Sequence, residues 1–120
     1  MKITEHKIKD QRIAELISDE YIIQTSSDAL NILGDLYFQG FDGVIIYEKN
    51  IVSDFFDLKN GMAGEILQKF SNYRVRLILL GDFSKYRRKS IREFIFESNK
   101  GKLVNFLPTF DEALIAIKGE

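Results

Sequence analysis

The sequence predicts an α/β fold: a mixed five-stranded sheet with an N-terminal antiparallel hairpin and about four helices, in the order ββαβαβαβα. Three observations predict it. Two short β-branched apolar runs, 43–47 and 75–80, are long enough only for buried strands. Stripes of helical period alternate with such runs from residue 25 onward, which implies parallel pairing through right-handed crossovers. Two strand-like segments open the chain with a tight turn between them.

The opening strands are read over 2–9 and 12–18, joined at Lys9-Asp10-Gln11, where Asp10 favours a turn. Thr25-Ser26-Ser27-Asp28 then supplies helix N-cap residues. Ala29, Leu30, Leu33, Leu36 and Tyr37 follow at helical spacing, and Gly40 is placed to end the helix in a left-handed conformation. Gly43 to Tyr47 is the first buried strand. Residues 48–57 read as mostly irregular. Met62, Ala63, Ile66, Leu67 and Phe70 mark a second helix ending near Tyr73. Val75 to Leu80 is the next buried strand, closed by Gly81-Asp82. Because both strands are apolar on both faces, both belong in the interior of the sheet.

Two capping boxes punctuate the remainder. Ser90-Ile91-Arg92-Glu93 is expected to open a helix that carries Ile91, Phe94 and Ile95 inward and stops at Gly101. Leu103 to Leu107 is the last strand. Thr109-Phe110-Asp111-Glu112 opens a final helix with Phe110, Ala113, Leu114 and Ile117 on one face. Ile45, Leu67, Leu79, Phe94 and Leu114 are expected to meet in one core.

Composition narrows the function classes. The 120 residues make one domain, 1–120, large enough to bury a core unaided. With no cysteine, thiolate catalysis, disulfides and cysteine-based metal sites are excluded. The polar start, and the absence of any apolar run near the roughly 20 residues that span a bilayer, predict a cytoplasmic protein with no membrane partner. Net charge is −1, which gives no global pull toward nucleic acid, and none is expected as a partner. Residues 1–60 hold six Lys/Arg against eleven Asp/Glu, and residues 61–120 eleven against seven. A fold that interleaves the halves erases such an asymmetry, and interleaving is the expectation.

No constellation carries chemistry, so neither catalytic nor metal-binding residues nor a cofactor are expected. The one histidine, His6, lies in the opening hairpin, too isolated for a metal site or a nucleophile's base. Glu48 and Asp82 each follow a central strand, where open α/β sheets bind ligands; ordinary turn and cap roles compete with that reading. Gly61 and Gly64 open a helix whose N-terminus favours anions, or else they allow close packing. Lys85, Arg87, Arg88, Lys89 and Arg92 surround Tyr86 in a short basic segment, by default a solvated face. The segment 48–58 carries Ile51, Val52, Phe55, Phe56 and Leu58, a large apolar load for a connection. Its aromatics either tuck into the core or meet a partner.

The run from Phe55 through Gly61-Met62-Ala63-Gly64-Glu65 to Phe70 resembles a bacterial domain of unknown function, family 4180. So do Gly81-Asp82-Phe83-Ser84-Lys85-Tyr86 and Glu97-Ser98-Asn99-Lys100-Gly101. The resemblance covers nearly the whole chain and implies no activity. More distantly, the element order and the stretch Phe110-Asp111-Glu112-Ala113-Leu114 are similar to the STAS and SpoIIAA-like fold, a likeness of topology. Members of that fold switch by phosphorylation of a serine before a glycine at a helix start. Here Asn60 precedes Gly61, and asparagine caps a helix but accepts no phosphate; Ser53 is the hydroxyl in the preceding loop.

The reading that follows is a non-catalytic regulatory or protein-interaction module acting through loop 48–61, with Ser53, Phe55, Phe56, Asn60 and Gly61 at its edge. The alternative is a small-molecule or anion-binding domain using a crevice at the strand ends near Glu48, Asn60 and Asp82. Each reading names its partner class, a protein or a small ligand. The sequence does not fix an oligomeric state.

Overall fold

A computed structural model describes residues 1–119. Its elements follow the expected order: β1 (Lys2–Ile8), β2 (Gln11–Ile17), α1 (Ser26–Phe38), β3 (Gly43–Tyr47), α2 (Met62–Tyr73), β4 (Arg76–Leu80), α3 (Lys89–Asn99), β5 (Val104–Leu107) and α4 (Phe110–Lys118). The strands lie in the sheet in chain order, β1-β2-β3-β4-β5. The first pair is antiparallel and the other three are parallel. Both apolar runs are therefore interior, with β3 at the centre.

The hairpin turn is tighter than expected. Gln11 pairs with Ile8, leaving only Lys9-Asp10 to reverse the chain. A two-residue reversal needs positive φ, and Lys9 adopts +56° without being glycine.

Side-chain alternation splits the core in two. Val44, Ile46, Leu77, Leu79, Val104 and Phe106 meet Ala29, Leu33 and Leu36 of α1, Ala63, Ile66 and Phe70 of α2, and Ile91 of α3. Ile45, Ile78 and Leu80 face the other way, together with Ile8, Ile13 and Ala113 and Ile117 of α4. The single core expected around Ile45, Leu67, Leu79, Phe94 and Leu114 is thus wrong. Ile45 and Leu114 belong to the α4 side, and the other three to the side of α1–α3. Adjacent strand residues point to opposite faces, so one buried strand feeds two cores.

Helix starts follow the caps in two of three places. Thr25 and Asp28 form a complete capping box, and Thr109 Oγ1 accepts from Glu112 N at 3.2 Å. The box at Ser90–Glu93 does not form. The N-cap is Arg88, with no side-chain cap, so Ser90 already lies inside the first turn. Burial of Ile91 against the sheet sets this phase, and Glu93 instead lies 3.7 Å from Lys89 one turn back.

Segment 48–60 is more regular than its sequence suggests. It winds through three short 3-10 turns, Glu48–Asn50, Ser53–Phe56 and Leu58–Asn60. Ile51 is bridged to Ile23, and both are buried. Among the described residues no helix is long and apolar enough to cross a membrane.

Leu79 is fully buried beneath α1–α3. Leu79→Ala is expected to cost about 2–5 kcal/mol, measured by urea denaturation. A loss below about 1 kcal/mol would contradict the assigned strand phase.

Candidate functional site

The loops at the C-terminal ends of the parallel strands gather most of the residues singled out by sequence. Glu48 follows β3, and its side chain lies on Gly81, the residue after β4. A Cβ at Gly81 would stand 2.6 Å from Glu48 Cβ, so the close approach requires glycine there. One Glu48 oxygen accepts from Tyr86 Oη at 2.5 Å and lies 2.6 Å from Lys85 Nζ. Tyr86 in turn stacks on Phe56, with centroids 4.6 Å apart. Burial, and then the bond to Glu48, push the Tyr86 phenol well above its ordinary range. One carboxylate thereby ties the end of β3 to the segment after β4, and a ring stack ties that segment to loop 53–56.

Phe55 and Phe56 are both buried, in edge contact with each other at 5.0 Å. Their apolar load roofs the α1–α3 core. What the loop offers to solvent is polar: Ser53, Asp54, Asp57, Lys59, Asn60 and Gly61. Asn60 is not the N-cap of α2: that residue is Gly61, which has no side-chain cap, and Asn60 bonds the helix start from one position outside it. Its Oδ1 accepts from Met62 N at 2.9 Å, while Nδ2 donates to Asp54 O at 2.8 Å. Gly61 supplies the left-handed turn into α2, with φ of +78°. Asp82 accepts from Ser84 N and Oγ, and these bonds hold its carboxyl below the usual range. The polar atoms of Glu48, Asn60 and Asp82 are thus engaged locally. Because the strand order never reverses, the sheet also lacks the switch point at which such crevices open.

The exposed edge of the loop does line a groove. Ser53, Phe56 and Asp57 face Lys85, Tyr86, Arg87, Arg88 and Ile91 across about 300 Å³. Beside it, Arg87, Lys89, Arg92, Glu93 and Phe96 border a second depression of about 370 Å³. Lys85 is matched by Glu48, whereas Arg87, Arg88 and Arg92 have no ion-pair partner among the described residues.

Other polar contacts escaped the sequence reading. On the α4 side of the sheet, Glu15 accepts from Tyr47 Oη at 2.5 Å and lies 2.9 Å from His6 Nε2. A signal existed, since Glu15 interrupts the otherwise apolar run Ile13–Leu16. Arg76 is buried at the start of β4 and donates twice to Asn105 Oδ1. Asn50 gave no signal, because Tyr-Glu-Lys-Asn reads as an ordinary polar turn.

Desolvation, then the bond to Glu15, push the Tyr47 phenol up to about 12. The folded state therefore holds this proton where the unfolded chain, near pH 10, releases it. The contribution to stability is complete below about pH 10 and is lost as pH rises through about 12. The difference between tyrosinate absorbance titrations of the native chain and Tyr47→Phe should show one phenol ionising near 12. Ionisation near the ordinary value of about 10 would contradict the buried Glu15 contact.

No curated protein matches the chain, and neither does any solved structure. Residues 8–117 match the family described as Domain of unknown function (DUF4180). That match spans nearly every element described above, and the chain belongs to this family.

Proposed function

We propose that the chain is a non-catalytic regulatory module, STAS-like in topology and cytoplasmic, that docks an acidic segment of a partner protein. The surface is the groove between loop 53–57 and residues 85–92. The observation that carries this reading is the trio of unpaired arginines there. Arg88 caps α3 and Arg92 lies one turn further, at the end of the helix that repels cations. No acidic residue occupies that first turn to offset them. An arrangement that is locally unfavourable for the free protein is favourable once carboxylates arrive.

An acidic peptide fits better than a nucleic acid. The groove is short, Asp57 stands in its wall, and the chain is net −1, so an extended polyanion meets repulsion beyond the patch. Polar groups at the strand ends are committed to loop geometry, which supports recognition over catalysis.

The test is fluorescence anisotropy with a labelled octaglutamate peptide. Binding should weaken at least about tenfold in Arg87→Glu/Arg88→Glu and should also weaken as NaCl rises from about 50 to about 200 mM. Unchanged affinity in the double variant would defeat the proposal. Equal competition by a single-stranded oligonucleotide would replace it with nucleic-acid binding.

A further inference from the structure

The basic groove adjoins the depression of about 370 Å³ bordered by Arg87, Lys89, Arg92, Glu93 and Phe96, since Arg87 lines both. Phe96 is the unexplained residue there. α3 turns Ile91 into the core and packs Phe94 and Ile95 against it, which leaves Phe96 on the outer side, 64% exposed. Single exposed apolar residues are common and need no function. This one is set apart by its company. It shares the depression with Arg87 and Arg92, which have no ion-pair partner among the described residues.

The ring is held from one side. Lys100 Nζ stands over it, 4.8 Å from the centroid, and is itself 3.1 Å from Glu97 Oε1. What remains open is the side toward the depression. Both of its walls favour the same visitor. A second aromatic ring gains from Phe96 by edge or offset contact, and from a guanidinium by cation–π stacking. An aliphatic side chain gains the apolar contact alone.

Spacing adds a constraint. Arg92 and Phe96 are four residues apart on α3, a rise of about 6 Å. In an extended peptide, residues two apart point to the same side at about 6.6 Å. A carboxylate placed on Arg92 therefore carries the residue two positions away onto Phe96.

Given an acidic segment as the partner, the reading on which this rests, we propose that the segment carries an aromatic residue two positions from a carboxylate. The aromatic ring seats against Phe96 while the carboxylate meets Arg92. Nucleic-acid bases also stack on aromatic rings, but Glu93 borders the same depression, 3.7 Å from Lys89, and repels a phosphate chain that enters.

The experiment compares labelled peptides with blocked ends by fluorescence anisotropy. A segment can run either way along α3, so hexaglutamate-Ser-Phe and Phe-Ser-hexaglutamate are both used, each with a counterpart in which Ser or Leu replaces Phe. In at least one order the Phe peptide should bind at least about fivefold tighter than its Ser counterpart, with the Leu peptide between them. Phe96→Ser should abolish that preference and leave octaglutamate binding unchanged. Equal binding of the Phe and Ser peptides, equal binding of the Phe and Leu peptides, or a preference that survives Phe96→Ser would overturn the aromatic assignment, while bound octaglutamate would still uphold the groove. Loss of binding by every peptide, octaglutamate included, would defeat both. Far-UV circular dichroism checks the fold of the variant; if it is disturbed, the comparison of peptides on the native chain decides.

Discussion

Everything in this domain depends on the strands lying in the order in which they are made. Each parallel strand pairs with its predecessor, so each crossover helix lands on the same face, and α1, α2 and α3 share one core. The opposite face is left to α4 alone, whose nine residues cover Ile13, Ile45 and Ile78. Only a strand apolar on both faces can serve these two unequal layers, which is why β3 and, after Arg76, β4 carry apolar runs.

The same order governs charge. Along the sheet the acidic first half and basic second half are less interleaved than expected, although α4 returns to the first strands and Glu48 meets Lys85. The Asp19-Glu20 turn follows β2, beside the N-terminal edge strand, while the arginines of 87–92 open the helix that leads to β5, the opposite edge. The fold preserves an asymmetry that a strand order with a reversal would have mixed. It also lacks the cleft such a reversal opens, so the proposed recognition is assigned to the loops at the strand ends. These loops are held by few but well-buried links. Glu48 on Gly81 fastens β3 to the segment after β4, and Asn50 fastens the segment after β2 to that after β3.

The fold was legible because periodicity is a local property. The apolar runs, the stripe Ala29–Leu36 and the caps at Thr25 and Thr109 each reported their own element. What failed was relational. Ser90 and Glu93 have the spacing of a cap, but the burial of Ile91 starts the helix two residues earlier. Phe55 and Phe56 announced an important loop, although their place is under it and the surface lies with Ser53 and Asp57. Asn50 was invisible, since its role depends on carbonyls about 30 residues earlier that sequence cannot bring near. The basic segment was visible as composition, and only the folded structure showed that Arg87, Arg88 and Arg92 have no ion-pair partner among the described residues.

The central claim is that recognition takes place where loop 53–57 meets the start of α3. Hydrogen–deuterium exchange of the chain with and without a saturating acidic peptide locates binding without any substitution. The account predicts slowed exchange confined to residues 53–57 and 85–92. Protection centred instead on the Asp19-Glu20 turn or on α4, with the basic groove unchanged, would contradict it.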